Sequence, residues 1–324
     1  MAKGELNTMA RVFVTGAAGV IGTQLVKMLA ERGHEILAAD LKPIPEDFQT
    51  SVTYRQGDLN QLEFEVLEEF QPTHVFHLAA SFERTTESYA FFEENFHNNV
   101  LLSHHILDLS RRLKSTVRFV FASSYLIYDS SLSHVDRQSE PVALGEQMPE
   151  SPRNLTGLAK FSTEHEINFL SLFEESGLDP VAVRIFRGYG LGSRDVISRW
   201  VRALLQGQPI EVFDKSSSFD FVFCKDSARA LIEIGFHEGL KGVINVGTGV
   251  STPIADVYQH LRTKFPHGVF VEKQDSQVLE RSVASLDYLR AVTSWSPQYD
   301  VPTAIDEIIS YESKLLGLIV DHER

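Results

Sequence analysis

Cysteine is almost absent from this chain of 324 residues, in which Cys224 is the only example. A single thiol excludes an internal disulfide and a thiolate metal cluster, and it agrees with a reducing compartment. No apolar run approaches the roughly 20 residues of a membrane-spanning helix, and the opening MAKGELNTMA lacks the apolar core of a signal peptide. We therefore expect a soluble, cytoplasmic protein with no membrane partner.

Positive charge is also in short supply. The chain has 30 Lys and Arg residues against 44 Asp and Glu residues, a formal net charge of −14, so its surface should repel nucleic acid and anionic membranes. An anionic ligand would need a dedicated arginine pocket. Glycine and proline (20 and 12 residues) are too few for a collagen-like or low-complexity chain, and a hydrophobic content of 43% is that of a globular protein. The length suits roughly two domains.

Short runs rich in β-branched and aromatic residues alternate with helical spacing between residues 11 and 186. Runs this apolar predict strands covered on both faces, and their separation predicts βαβ units. We therefore expect an α/β fold with a doubly wound parallel sheet, the Rossmann arrangement. The runs are Val12–Val14, Ile36–Ala38, Val52–Tyr54, Val75–Leu78, Phe119–Phe121 and Val181–Ile185.

A glycine motif directly follows the first run. Thr15 leads into Gly16, Gly19 and Gly22 at the start of a helical pattern. Glycines with this spacing let the backbone turn tightly, let a pyrophosphate approach the helix N-terminus, and let helix and strand pack closely. Asp40 ends the second strand, where a carboxylate accepts both ribose hydroxyls of an adenosine. The motif therefore predicts a dinucleotide site.

The same carboxylate selects between cofactors. Asp40 would repel a 2′-phosphate, and Lys42 is the one base close behind it, so we predict NAD rather than NADP. Asp58 and Leu59 follow the third strand, where they either cover the adenine or form a plain turn. The cofactor contacts expected from these motifs are Gly16, Ala18, Gly19, Val20, Ile21, Gly22, Asp40, Asp58 and Leu59.

Further motifs extend over nearly the whole chain. They are His77-Leu78-Ala79-Ala80, Ser123-Ser124 shortly before Tyr128, Gly188-Tyr189-Gly190-Leu191-Gly192, Asp220-Phe221-Val222-Phe223 and Asn245-Val246-Gly247-Thr248-Gly249. With the glycine motif they resemble the extended short-chain dehydrogenase/reductases, and more narrowly the NAD-dependent epimerase/dehydratase group that acts on nucleotide sugars. The resemblance implies a nucleotide-diphosphate sugar as substrate, and it adds Leu78, Ala79, Ala80 and Lys160 to the NAD contacts.

Members of this group orient the substrate hydroxyl with a Ser or Thr, a Tyr and a Lys, the last two spaced YxxxK. Ser124 and Lys160 match, and Lys160 is implied to hold the nicotinamide ribose, but the tyrosine position holds Thr156. An aliphatic hydroxyl is a far weaker acid than a phenol, whose pKa is about 10. Either another group serves as the base, with Tyr125 and Tyr128 the nearest phenols, or the chain has lost catalysis.

The residues after Ser124 separate the subclasses of the group. Its 4,6-dehydratases carry an Asp-Glu pair there, whereas this chain has Tyr125-Leu126. The resemblance therefore favours epimerase-type chemistry through a keto intermediate over 4,6-dehydratase or dehydrogenase and reductase chemistry. A non-catalytic or regulatory NAD-binding protein is the alternative.

Arginines on the later loops are candidates for binding a diphosphate, which guanidinium groups hold in bidentate fashion. Arg187 stands where relatives commonly have Asn, Arg194 follows it, and Arg281 occupies a position often used for the diphosphate; solvated surface arginines are the alternative. The relatives' Arg-Asp-Phe reads here Phe219-Asp220-Phe221, so the diphosphate is held differently or the substrate is not the standard UDP-hexose. Candidate sugar contacts are Ser81 and Glu83.

The pattern loosens after residue 186. We predict an NAD-binding domain over 9–186 with returning segments near 219–246, and a substrate lobe over 187–218 and 247–324. The chain should pass back into the sheet near Phe221–Phe223 and Val243–Val246.

Two long helices, predicted near 90–113 and 155–175, are apolar on more than one side. One stripe packs on the sheet, and the second permits a homodimer through a helix bundle. His77 is predicted to be a core histidine. The adjacent His104 and His105 point about 100° apart on a helix, so we expect no metal site.

Overall fold

A seven-stranded sheet lies at the centre of the fold in the computed structural model of this chain. Its strands are β1 (Arg11–Thr15), β2 (Glu35–Asp40), β3 (Val52–Gln56), β4 (His74–His77), β5 (Arg118–Ser124), β6 (Asp179–Ile185) and β7 (Gly242–Val246). Their order is β7-β6-β5-β4-β1-β2-β3, and the pairs formed by β1, β2, β3, β4 and β5 are parallel. The order reverses between β1 and β4, the place where such sheets leave a crevice for a ligand. The doubly wound prediction is confirmed.

The structure describes residues 9–82, 88–136, 139–173, 177–273 and 279–318. Within them the α-helices are α1 (Val20–Glu31), α2 (Phe64–Phe70), α3 (Tyr89–Asn95), α4 (Leu102–Arg112), α5 (Leu155–Phe173), α6 (Val196–Leu205), α7 (Cys224–Gly235), α8 (Ile254–Lys264), α9 (Asp287–Val292) and α10 (Val301–Leu315). No helix in these ranges has the length and apolarity that crossing a membrane requires. The predicted sugar contact Glu83 lies outside the described residues.

Short strands pair outside the main sheet. The pairs are Arg187–Tyr189 with Phe221–Phe223, Ile210–Val212 with Phe270–Glu272, Ser218–Phe219 with Thr252–Pro253, His134–Val135 with Leu279–Glu280, and Val142–Leu144 with Ser282–Ala284. Single 3₁₀ turns are formed by Leu59–Gln61, Tyr125–Ile127 and Ser130–Leu132.

The expected return of Phe221–Phe223 to the main sheet is wrong. This run pairs in parallel with Arg187–Tyr189, the short strand that directly follows β6. Val243–Val246 lies in β7, as predicted. A buried apolar run indicates a strand, but it does not identify the partner of that strand.

The helix predicted near 90–113 is also interrupted. Between α3 and α4, Phe96–Leu101 forms a π-helical turn, which inserts an extra residue and changes the direction in which neighbouring side chains point. The second predicted helix is observed as α5, with its end near residue 175 outside the described range.

The chain separates into two compact units. One comprises the described parts of Met1–Ala122, Ala159–Ala182 and Leu231–Gly242, and the other those of Ser123–Leu158, Val183–Ala230 and Val243–Arg324. The core of the first unit includes Val12, Phe13, Val14 and Phe76, whose side chains are fully buried. The functional domain limits proposed from the sequence remain a prediction.

Candidate functional site

The glycine motif forms a cradle in the first unit. Gly16 has a φ of +69°, and a Cβ placed on it would lie 2.6 Å from the backbone nitrogen of Ala79. A Cβ on Gly22 would overlap the carbonyl oxygen of Gly16. Gly19 precedes α1 in extended conformation with no side-chain cap, so the first N–H groups of the helix are left for another acceptor. The cradle is therefore shaped for close approach by a ligand at a helix N-terminus.

Asp40 is fixed at the rim of this cradle. Its Oδ2 accepts a hydrogen bond from the backbone N–H of Ala18 at 3.0 Å, and its Oδ1 accepts one from that of Lys42 at 3.0 Å. Each carboxylate oxygen has a second lone pair, so Asp40 keeps acceptor capacity for ribose hydroxyls while its orientation is set. Burial, with the charge of Asp40, raises the pKa of the neighbouring Tyr54 phenol to about 12.

One pocket of the first unit collects many of the predicted cofactor residues. Those lining it are Gly16, Gly19, Asp40, Asp58, Leu59, Leu78, Ala79 and Ala80. Ser81, predicted to contact sugar, lines it as well, together with Leu41, Lys42, Asn60, Asn98 and Leu102. Asp58 is the N-cap of the 3₁₀ turn and accepts from the N–H of Asn60 at 2.9 Å. Ala18, Val20, Ile21 and Gly22 belong to the same loop and helix start but are not among the lining residues.

A buried chain of hydrogen bonds joins the end of β1 to the end of β4. His77 is fully buried, with Nδ1 2.7 Å from the hydroxyl of Thr15 and Nε2 2.9 Å from the hydroxyl of Ser103. The Thr15 hydroxyl oxygen also accepts from the N–H groups of Leu78 and Ala79 at 3.2 and 3.3 Å. Burial lowers the pKa of His77 to about 3. The imidazole is therefore neutral, and the predicted core role of His77 is confirmed.

Two asparagines bond to Ser81 and a third supports one of them, and none of the three was predicted from the sequence. Asn99 accepts from the N–H of Ser81 at 2.7 Å and donates to its carbonyl at 2.9 Å. Asn99 also donates to Asn95 at 2.6 Å, and Asn98 donates to the hydroxyl of Ser81 at 3.3 Å. Asn98 and Asn99 lie in the π-helical turn, and Asn95 is the last residue of α3 before it. Their signal in the sequence is a group of amides inside an otherwise apolar helical pattern.

Lys160 lies on α5 in the first unit. Its side chain is 7% exposed, and Nζ lies 4.6 Å from the centre of the Phe121 ring. Burial lowers the pKa of Lys160 to about 8, while the charge of Glu164 acts to raise it. The amine is therefore mostly protonated at pH 7 and loses its proton in the mildly alkaline range.

Ser124 and Thr156 belong to the second unit. Ser124 is half-buried and accepts from the N–H of Leu126 at 3.2 Å, capping a 3₁₀ turn. Thr156 is buried one helical turn before Lys160. A Cβ on Gly157 would lie 2.7 Å from the carbonyl oxygen of Leu126, so this glycine lets the start of α5 approach the Ser124 loop.

The two candidate phenols have different surroundings. Tyr128 donates to Oδ1 of Asn245 at 2.7 Å and is fully buried, and burial raises its pKa to about 12. Tyr125 instead accepts from Nη1 of Arg187 at 3.2 Å. Burial raises the pKa of Tyr125, and the Arg187 charge opposes that rise. Because guanidinium only donates, the phenolic hydrogen of Tyr125 is directed elsewhere.

The predicted anion-binding arginines are all in the second unit. Arg187 lies with its guanidinium 3.8 Å from the centre of the Phe219 ring. The backbone of Arg281 bridges that of Ser218, next to Phe219, and its guanidinium donates to the carbonyl of Ser139. Arg194 is exposed. The structure thus places Arg187 and the backbone of Arg281 beside the segment around Phe219, while the role of each arginine in ligand binding remains a prediction.

Asp220 organises the loop behind this segment. Its carboxylate accepts from the N–H groups of Thr248, Gly249 and Ala284 at 2.6, 2.9 and 3.1 Å. A Cβ on Gly247 would lie 2.6 Å from Oδ2 of Asp220. The Gly247–Gly249 motif is therefore a turn folded around a buried carboxylate.

In the described ranges, no group of three or more His, Cys, Asp or Glu side chains is arranged to hold a metal ion. Cys224 is buried, and burial raises the pKa of its thiol to about 11.

Comparison with known proteins agrees with this architecture. The UDP-glucose 4-epimerase of Corynebacterium glutamicum is 25% identical, over 94% of this chain and 96% of its own length. MoeE5 in complex with UDP-glucose and NAD has a TM-score of 0.81 and 26% identity, covering 94% of this chain and 99% of that one. The Thermus thermophilus UDP-glucose 4-epimerase in complex with NAD has a TM-score of 0.75 and 26% identity, covering 93% and 98%. Residues 12–247 match the NAD dependent epimerase/dehydratase family, and the chain belongs to that family.

Proposed function

We propose that this protein binds NAD and interconverts epimers of a nucleotide-diphosphate sugar through a keto intermediate. The observation that carries the proposal is the pocket in which the glycine cradle, Asp40 and Leu78–Ala80 converge. Family membership and the UDP-glucose 4-epimerases among the relatives support the sugar chemistry. A cytoplasmic location suits the single buried thiol.

The residues of the first unit fit NAD. Gly16 and Gly22 leave no room for a Cβ, and α1 begins without a side-chain cap, as pyrophosphate binding requires. Asp40 supplies acceptors for a ribose diol and a charge that opposes a 2′-phosphate. When bound, NAD supplies a reversible hydride acceptor. Lys160 is the residue that we assign to the nicotinamide ribose.

The chain's own groups then position and deprotonate the sugar hydroxyl. We assign Ser124 to hold that hydroxyl, and Thr156 to orient it or a water molecule. Tyr125 is our candidate for proton exchange, because Arg187 contacts its oxygen and leaves its hydrogen for another acceptor. The uncharged Tyr125-Leu126 pair lacks the carboxyl groups that would expel water, so the proposal favours epimerisation over 4,6-dehydration.

The diphosphate is assigned to arginines of the second unit. Arg187 is held between the ring of Phe219 and the oxygen of Tyr125, an orientation that stabilises a planar donor for phosphate. Arg194 and Arg281 are further candidates. Phe219 stands where relatives have an arginine. The guanidinium of Arg187 lies over the Phe219 ring, so in this proposal it replaces the guanidinium that position 219 lacks.

The proposal includes a homodimer through helices near 90–113 and 155–175. Large apolar side chains are exposed on both segments, at Phe92 (40%), Phe96 (44%), Phe169 (63%) and Leu172 (75%), and Tyr89 (79%) lies next to the first segment. His104 on α4 lies 2.5 Å from Glu166 on α5, so these helices are neighbours. An apolar surface shared by adjacent helices suits a second copy of the chain.

The test is conversion of UDP-, GDP-, CDP- and dTDP-sugars by the purified protein, followed by sugar analysis, deuterium incorporation and NADH absorbance. We expect inversion of one sugar with no net change in NADH. Native mass spectrometry is a second measurement, and we expect it to show both NAD and a nucleotide-diphosphate sugar bound to the protein. Binding of NAD by a protein inert on every sugar would favour the regulatory alternative, which the Thr156 replacement supports.

A further inference from the structure

Helix α5 buries two opposite charges one turn apart. Lys160 is 7% exposed and Glu164 is 2% exposed. Residues at positions i and i+4 of a helix lie on the same face, with about 5–6 Å between their Cβ atoms. The acidic residue two positions further along, Glu166, is instead half-buried and bound to His104. The helix therefore carries one interior carboxylate beside the amine and one on its outer side.

Among the described residues, Phe121 and His77 are the other groups that act on Lys160, and neither carries a negative charge. The ring of Phe121 on β5 lies 4.6 Å from Nζ. Burial, with a smaller effect from the Lys160 charge, lowers the pKa of His77 on β4 to about 3. The imidazole is therefore neutral above that pH. Burial by itself favours the uncharged amine of a lysine. Glu164 is the side chain whose charge opposes this effect.

Burying two opposite charges is costly, because each group loses its hydration and their attraction only partly offsets that loss. Replacing two such groups by apolar ones of similar volume is often neutral or stabilising. The burial of Lys160 and Glu164 in one helix therefore points to a use for a charged amine in a buried place.

We propose that Glu164 is a positioning residue that keeps the buried amine of Lys160 protonated under working conditions. The proposal rests on the proposed function, which assigns Lys160 to the nicotinamide ribose. Glu164 touches neither cofactor nor sugar in this scheme and acts through Lys160. Its removal should therefore change the charge of Lys160 rather than the architecture of the pocket.

The direct test measures the pKa of the Lys160 amine in the cofactor-free protein. Lysine labelled with ¹³C at the ε-carbon is incorporated, the Lys160 signal is assigned by its loss in Lys160→Met, and its chemical shift is followed against pH. In wild type the midpoint should lie near pH 8. In Glu164→Gln it should fall by about one unit or more, the size of effect expected from a neighbouring opposite charge. The amine would then be mainly neutral at pH 7.5.

Two matched variants separate charge from structure. Glu164→Asp keeps a carboxylate, so its Lys160 midpoint should lie close to the wild-type value. Glu166→Gln removes a charge from the outer side of the same helix and should leave the Lys160 midpoint unchanged. In turnover, the alkaline fall in activity should move to lower pH in Glu164→Gln, in parallel with the midpoint. A Lys160 midpoint that stays within 0.3 unit of wild type in folded Glu164→Gln would overturn the proposal. Since the NMR titration needs no turnover, a protein inert on sugars would refute the proposed function and leave this result standing.

Discussion

The hydroxyl of Thr15 lies 2.7 Å from Nδ1 of the buried His77, and this contact determines how the imidazole is protonated. The Thr15 oxygen accepts from Leu78 and Ala79, so its own hydrogen is donated to Nδ1. The remaining hydrogen of the neutral ring is then on Nε2, which donates to Ser103. The end of β1 is thereby connected to the end of β4, and both ends contribute to the pocket.

Replacing His77 with Gln should destabilise the protein by about 2 kcal/mol at pH 7.5, because buried partners lose well-aligned hydrogen bonds. The difference should shrink at pH 5. The folded-state pKa of about 3 lies below the ordinary value of 6.5, so the unfolded chain binds the proton first, and wild type loses this stability as the pH falls from 6.5 toward 3. Urea unfolding at both pH values measures the difference. His104→Gln, on the exposed side of α4, is the control, and a difference that grows at pH 5 would contradict the assignment.

Asp40 should determine cofactor choice. We expect NAD to bind at least tenfold more tightly than NADP, a difference of about 1.4 kcal/mol. Asp40→Ala should narrow this difference in affinity, because it weakens NAD binding and removes the repulsion of a 2′-phosphate. Calorimetric titration of both cofactors measures this. Asp47→Ala, a carboxylate outside the pocket, should leave the ratio unchanged. Equal affinities in wild type would contradict the role given to Asp40.

The predictable parts of this fold are those governed by local patterns. The apolar runs predicted β1 to β6 correctly, because a strand covered on both faces is apolar at every position and stands out from its polar flanks. The helix start at Gly19 and the acidic end of β2 at Asp40 were readable because each motif lies within one βα unit.

Other features depended on contacts between distant segments. The π-helical turn is associated with the Asn95, Asn99 and Ser81 network, which joins a helix to the loop after β4. Phe221–Phe223 found its partner in Arg187–Tyr189, a pairing that no local signal encodes. The hydrogen bond between Arg187 and Tyr125 likewise joins residues 62 positions apart. Such contacts become visible only when the chain is folded.

The stacking of Arg187 on Phe219 permits an exchange experiment. Arg187→Asn should weaken nucleoside-diphosphate binding by about 2 kcal/mol, since a charge-assisted contact is lost. Adding Phe219→Arg should recover much of that loss, because the guanidinium returns to the same place from the opposite side chain. NAD binding should be unchanged throughout, and Arg32→Asn on the first unit is the control. Calorimetry that shows no loss in Arg187→Asn would return this arginine to a structural role.

The exposed apolar side chains on α3, the π-helical turn and α5 should hold two copies of the chain together. Phe92→Glu and Phe169→Glu each place a charge in the apolar surface, and we expect both proteins to sediment as monomers where wild type sediments as a dimer. Val250→Glu introduces the same charge at an exposed apolar side chain of the second unit, and it should remain dimeric. Monomeric wild type at micromolar concentration would refute the proposed interface.

The last prediction concerns the proton-transfer residue. If Tyr125 exchanges the proton, Tyr125→Phe should lower kcat at least a hundredfold, within the usual range for losing an acid–base group, while Thr156→Ala keeps measurable turnover because its hydroxyl only orients substrate or water. Lys160→Ala should lower activity far more than Thr156→Ala, through the cofactor ribose and the local field. Tyr128→Phe is the matched control, a second buried phenol whose partner is Asn245; it should affect stability more than kcat.

The decisive comparison is Thr156→Tyr, which restores the tyrosine of the family's YxxxK pattern one turn before Lys160. Lower or unchanged activity in that variant agrees with a site organised around Tyr125. Activity gained by Thr156→Tyr in a wild type inert on every sugar would instead show that the chain has lost catalysis and binds NAD for another purpose.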